Sequence, residues 1–213
     1  MKRRTPVVSG TLVGTAAVAA FVVASRRRYL RLGATAAEAA MPLSGDAILP
    51  QADLVATRAI TIEAPPTKVW PWLVQMGQGR GGFYSYDALE NLVGCDLHSA
   101  DRIVDEWQAL AVGDAVRLHP EVPLTVAEIE EGSAIVLRGG VPLGDTPAPY
   151  DFTWAFVLRD GADGTTRLVI RERWAYHQRW ARLVVEPAEA VSAVMSHKML
   201  RGIKDRAEGA RPA

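Results

Sequence analysis

Hydrophobic and polar residues alternate with a period of two along several short stretches of this chain, and with a helical period near its end. Ala56, Arg58, Ile60 and Ile62 fall on one face of the first stretch and Thr57, Ala59, Thr61 and Glu63 on the other, which predicts a strand. Pro65-Pro66 stops that strand, and proline is welcome in the first turn of the helix that Val69, Leu73 and Met76 then predict. A second short helix over Tyr86–Val93 closes at Gly94. Strands follow at Asp114–His119, Leu124–Glu130 and Ala134–Arg138, with turns at Gly113-Asp114 and Glu131-Gly132. In the two longest strands, Phe152, Trp154, Phe156 and Leu158 share one face, as do Leu168, Ile170, Glu172, Trp174 and Tyr176. The other face of the last strand carries Arg167, Arg171, Arg173 and His177, so one side of the sheet reads as aromatic and the other as basic and wet. A final helix has Pro187 in its first turn and presents Ala188, Val191, Met195, Met199 and Ile203 to the sheet.

The pattern is that of an α+β domain over residues 52–208: a curved antiparallel sheet of six or seven strands, two short helices after the first strand, and one long C-terminal helix packed on the sheet. A sheet curled around one helix leaves a gap at one end, which the short helices and the glycine-rich loop Gly77–Gly82 would roof. Residues 209–213 read as a disordered tail.

The N-terminus is a separate object. Val7–Ala24 is uncharged and lies between Lys2-Arg3-Arg4 and Arg26-Arg27-Arg28. As a helix its roughly 18 residues reach about 27 Å, enough for a thin hydrocarbon core. Residues 1–28 therefore read as a single-pass membrane anchor, a transmembrane helix. A cleaved signal peptide competes, because Ala17-Val18-Ala19 is an A-x-A-like site, but the triple arginine suits a stop at the membrane surface better. The slight basic excess after the segment leans toward a cytoplasmic main domain at the cell membrane. Gly10-Thr11-Leu12-Val13-Gly14 offers a weak G-x-x-x-G dimerisation face. Residues 29–51 read as a linker with a short helix around Thr35–Met41.

Composition narrows the function. Lysine plus arginine equal aspartate plus glutamate at 24 each, which argues against a nucleic-acid partner. The single cysteine, Cys95, forbids an internal disulfide and a Cys-rich zinc site.

The order strand, two short helices, antiparallel strands, long helix resembles the START/Bet v 1-like superfamily, also called SRPBCC. The strings Trp70–Asp87 (WPWLVQMGQGRGGFYSYD) and Glu90–Trp107 (ENLVGCDLHSADRIVDEW) resemble an uncharacterised, largely actinobacterial branch often labelled polyketide cyclase-like. The resemblance implies a helix-grip fold and a cavity for a hydrophobic ligand. It carries no catalytic residue over to this chain, since the branch has no motif of known chemical role, and fold alone does not fix function.

Several residues carry candidate chemistry. Gly77-Gln78-Gly79-Arg80-Gly81-Gly82 satisfies G-x-G-x-x-G, but a helix precedes it and Phe83-Tyr84-Ser85-Tyr86 follows, so a mobile lid fits better than a dinucleotide site. Within it, Arg80 is a candidate anion partner or a solvated loop arginine, and Phe83, Tyr84 and Tyr86 are candidate stacking residues or plugs. Trp107, Trp154 and Trp174 are further candidates for the lining. Glu172 is the anomaly: a carboxylate on an apolar face must be paired or protonated. The resembled fold implies that the first and last strands are neighbours, and Arg58 lies on the matching face of the first, so an Arg58–Glu172 pair is predicted. Cys95, His98 and Asp101 are too few for a metal site, and His98 and Asp101 read as hydrogen-bonded loop ties. No cofactor motif is present. Arg80, Tyr84, Tyr86, His98 and Glu172 are the polar candidates for orienting a ligand.

The leading expectation is membrane-tethered binding or transfer of a hydrophobic small molecule or lipid. A cyclase/aromatase-like enzyme using Glu172 or His98 for proton transfer stays open. So does a ligand-free, membrane-held interaction module.

Overall fold

The computed structural model describes residues 26–92, 94–140 and 146–209. The expected anchor over residues 7–24 lies outside them. Among the described residues no helix is long and apolar enough to cross a membrane.

Six strands form one antiparallel sheet: β1 (Leu54–Ile62), β2 (Ala115–His119), β3 (Val122–Glu130), β4 (Ala134–Gly139), β5 (Tyr150–Asp160) and β6 (Thr166–Tyr176), in the order β1-β6-β5-β4-β3-β2. Four α-helices have fully described bounds: α1 (Ala36–Ala40), α2 (Pro66–Val74), α3 (Asp87–Leu92) and the long α4 (Arg182–Ala207). Bulges at Arg117/His119 and Val126/Glu128 interrupt the register of β2 and β3, and such insertions bend a strand. The architecture is α+β, with α4 packed on the sheet, against β1 and α2.

The inner face is built as the alternation predicts. Phe156, Leu158, Leu168 and Ile170 are buried with Val185, Met199, Leu200 and Ile203 of α4. The helix itself departs from expectation in two ways. It begins at Arg182, so Pro187 lies inside it. The missing N–H of Pro187 would have served the carbonyl of Leu183, an exposed residue, where water can replace it. Its buried stripe is Val185, Glu189, Ala193, Ser196, Met199, Leu200, Gly202, Ile203 and Ala207; Met199 and Ile203 of the expected face are in it, while Ala188 and Val191 are exposed. Two polar residues sit in that stripe, so apolar periodicity pointed to the adjacent one. At Gly202 the helix backbone approaches the loop so closely that a Cβ would collide with the Tyr84 carbonyl.

The outer face is not wet. Residues 35–50, expected as linker, lie across it. Arg171, 3% exposed, donates to the Met41, Glu38 and Ala39 carbonyls, to Asp46 Oδ2 at 2.6 Å and to Thr57 Oγ1. Arg173 reaches Asp46 Oδ1 and the Leu49 and Pro50 carbonyls. Arg167 holds Glu38 at 2.6 and 2.9 Å and also donates to the Gly33 carbonyl. Glu38 additionally closes a capping box with Thr35, the start of α1. The Arg167 guanidinium keeps the Glu38 carboxyl down at about 2. Leu43 and Ile48 cover a second apolar cluster of Ala134, Val136, Ala155 and Val157. Period-two reading assigns residues to a face; it cannot say what covers that face. Further upstream, the Leu32 carbonyl accepts from Ala59 N–H, giving the edge strand β1 a partner.

Removing one partner of a buried ion pair leaves the other uncompensated. We expect Arg171→Ala to lower unfolding free energy by about 3 kcal/mol or more in urea titration. A loss under ~1 kcal/mol would show that the outer segment is not held by this arginine.

Candidate functional site

The glycine-rich loop is a closed turn, contrary to the mobile lid expected. Gly77 and Gly82 exchange both backbone hydrogen bonds at 3.0 Å, and Gly81 N–H donates to the Gln75 carbonyl. Positive φ at Gly77, Gly79 and Gly82 makes this turn, and a Cβ at Gly82 would press on the Ser99 backbone. Gln75, buried and not anticipated from sequence, accepts from Val104 N–H and donates to the Arg102 carbonyl. Arg80 donates to the Val74 and Trp107 carbonyls, so it locks the loop rather than facing a ligand. Burial holds its pKa below the usual value. Trp107 supplies that carbonyl from a short 3-10 turn, half-buried and away from the cavity.

The loop delivers Phe83 and Tyr84 to opposite tasks. Phe83 stacks on Trp154 at 6.0 Å between ring centroids, with 24° between planes. Tyr84, at φ +57, is buried behind it, donates its hydroxyl to the Trp72 carbonyl at 3.0 Å and lies under the Arg206 guanidinium. Burial raises its pKa. Tyr86 is exposed. His98 is exposed too, with Nε2 3.4 Å from Asp96. The ties expected of His98 and Asp101 come instead from Asn91, bonded to both backbone groups of Leu97, and from Asp87, bonded to Ser99. Among the described residues no three His, Cys, Asp or Glu side chains are grouped to hold a metal.

Between sheet and α4 lies a cavity of about 280 Å³. Four of the sequence candidates line it: Phe83, Trp154, Glu172 and Trp174. Arg80, Tyr84, Tyr86, His98 and Trp107 do not. Ring centroids of Phe152 and Trp174 lie 4.3 Å apart in the wall, and Phe156 backs Trp154 at 4.7 Å from outside the lining. Leu97, Leu118, Met195 and Met199 complete the apolar lining. Ala188 and Val191 line the cavity yet are exposed, which puts its mouth along that side of α4.

The polar wall centres on Glu172. Arg58 Nη1 donates to Glu172 Oε1 at 3.0 Å, with both side chains buried, so the expected pair forms. A third member was missed: Arg58 Nη2 also bonds the fully buried Glu189. Arg58 Nε donates to the Tyr29 carbonyl at 3.2 Å. Trp174 Nε1 donates to Glu189 Oε2 at 3.2 Å. Ser192 Oγ lies 2.9 and 3.0 Å from the two Glu172 oxygens, and Ser196 Oγ 3.2 Å from Oε1. One guanidinium thus faces two carboxyls. Burial, and then the neighbouring Glu172 charge, push Glu189 up to about 9, so it holds a proton at neutral pH and the cluster balances. The sequence signal for Glu189 was its spacing: Glu189, Ser192 and Ser196 form a polar stripe at i, i+3 and i+7. Trp154 Nε1 is buried without a hydrogen-bond partner among the described residues. Such an orphan donor costs about 1–3 kcal/mol.

No family model matches the chain, and no curated protein matches it. Among solved structures it is similar to protein jhp0584 of Helicobacter pylori, at 12% identity over 79% of this chain and 96% of that one, with a TM-score of 0.49. It is similar to CalU16 of Micromonospora echinospora, at 15% identity over 73% and 84% of the chains and a TM-score of 0.36. DynU16, from the dynemicin biosynthetic locus, gives 15% identity over 75% of this chain and 49% of that one, with a TM-score of 0.42. These likenesses assign no residue a role.

Folding raises the Glu189 pKa from 4.5 to about 9, so the folded chain keeps a proton that the unfolded chain sheds. That stabilisation is complete below the unfolded value and is lost as pH climbs through the folded one. We expect the Tm of the native chain, measured against Glu189→Gln, to fall steadily between about pH 5 and pH 9. A difference that stays constant over that range would place the proton elsewhere.

Proposed function

We propose that this chain is a helix-grip domain that binds a compact hydrophobic molecule between its sheet and α4, with the Glu172 wall orienting it. The observation that carries this is the aromatic-walled cavity with one polar wall. Ligand sites are mostly apolar, with a few placed polar groups. At about 280 Å³ the space is at the small end of the ~300–1,000 Å³ typical of such sites, and suits a single compact molecule better than a two-chain lipid. Burial of apolar surface at about 25 cal/mol per Å² supplies affinity. The space left beside Trp154, Phe156 and Trp174 counts against the ligand-free interaction module, which wants it filled by these rings.

One observation favours a second, enzymatic reading. Glu172 lines the cavity beside a carboxyl that holds a proton, which is the arrangement a proton-transfer step in a cyclase-like reaction needs.

Solvent extraction of the full chain, with mass spectrometry of the extract, tests the binding reading. A stoichiometric apolar molecule is the expected result; a clean extract, together with no Tm rise on exposure to apolar compounds, would sink it. Glu172→Gln then separates carrier from enzyme: a carrier keeps its ligand affinity within about threefold, whereas an enzyme loses turnover by a hundredfold or more.

Residues 7–24 extend the proposal to a membrane-held domain, since a tether concentrates the cavity near apolar ligands. We expect the full chain to stay with membranes through an alkaline wash and a chain lacking residues 1–24 to be released. Equal release of both would remove the anchor.

A further inference from the structure

The binding reading leaves the ligand's chemistry open, and the following rests on that reading. We propose that the cavity takes a neutral apolar molecule bearing a hydroxyl group, that Ser192 accepts the hydroxyl's hydrogen bond, and that carboxylate anions are turned away.

The argument is an account of protons. A carboxylate offers only acceptor sites, so Ser192 and Ser196 must each donate their one hydroxyl proton to Glu172. What Ser192 has left is its lone pairs. It is half-buried and lines the cavity, so those lone pairs are within a ligand's reach. Ser85, also in the lining, spends its proton on the Met195 carbonyl. On this wall, then, the serines receive hydrogen bonds.

Among the described residues no cation reaches the space. Arg58 is fully buried, and its three nitrogens are committed to the Tyr29 carbonyl, Glu172 and Glu189. Among the described residues no Lys or Arg lines the cavity. An entering carboxylate would lose its hydration and find no cation or free hydroxyl donor on this wall to replace it.

A second, independent observation points to the same group. Trp154 Nε1 is a buried donor without a partner among the described residues, on a ring 9% exposed that walls the cavity. Trp154 is the cross-strand partner of Glu172, and directly opposed residues of an antiparallel pair have Cβ atoms only about 5 Å apart. The free donor therefore belongs to a residue on the same face of the sheet as the Glu172 wall. A hydroxyl has the chemistry for both groups: a proton for Ser192 and an oxygen for an indole N–H. An ether or ketone oxygen satisfies Trp154 alone, and a hydrocarbon satisfies neither.

The test uses the full chain and three probes of one shape: 2-naphthol, 2-methylnaphthalene and 2-naphthoate, titrated calorimetrically at neutral pH. We expect Ser192→Ala to weaken 2-naphthol roughly tenfold and to leave 2-methylnaphthalene within about twofold. We expect 2-naphthoate to bind the native chain at least about tenfold more weakly than 2-naphthol. Equal effects of Ser192→Ala on the two neutral probes, or tighter binding of 2-naphthoate, would overturn the proposal. If the variant does not fold, the indole ¹H–¹⁵N signal of Trp154 in the native chain decides: 2-naphthol must move it downfield and 2-methylnaphthalene must not. Should no probe bind while extraction still yields a native ligand, this assignment fails and the binding reading stands. Should both fail, the cavity reading falls with it.

Discussion

Arg58 is a guanidinium with no access to water, and much of this structure follows from keeping it paired. It reaches two carboxyls, Glu172 on β6 and Glu189 on α4, and one carbonyl, that of Tyr29 in the segment before the sheet. An ionised side chain in such a place is strongly destabilising when any partner is missing. The cluster therefore stitches the edge strand, its neighbour, the long helix and the N-terminal segment into one arrangement. Two negative charges for one positive would leave an imbalance in an apolar interior. Retention of a proton on Glu189 removes it, at the cost of making that site sensitive to pH.

The sheet is covered on both sides, by different means. On the inner side α4 and the aromatic residues of β5 and β6 make an ordinary apolar core. On the outer side three arginines of β6 hold residues 33–50 chiefly through backbone carbonyls and the carboxylates of Glu38 and Asp46. Arginine suits this role because its planar group offers several donors in a fixed fork. Residues 33–50, expected as linker, are thus part of the folded body.

The cavity is shaped by where the packing stops. Phe83 and Trp154 stack at one side, Trp174 is drawn toward Glu189 at the other, and α4 turns its small residues Ala188 and Ser192 to the space between. The roofing loop is held shut by its own backbone, with Arg80 and Gln75 as braces. The mouth of the cavity lies along α4, at Ala188 and Val191.

Period-two alternation determined the strands, their faces and the aromatic wall, because side-chain direction in a strand is a local property. The anomaly of Glu172 was legible for the same reason, and with it the partner on β1, since the resembled fold sets the first and last strands side by side. Glu189 escaped, because a helix of mixed polarity offers two adjacent stripes and only the packed sheet chooses between them. Arg80, Tyr84, Tyr86, His98 and Trp107 have the composition of a binding rim, yet where each side chain ends depends on how irregular loop backbone closes, and no repeat in the sequence encodes that. The sequence by itself settled the strands, the inner layer and the need to pair Glu172, but not the outer layer of residues 33–50. The tertiary structure decided which polar groups share the cavity and which protons remain free, because those are properties of distances between elements far apart in the chain.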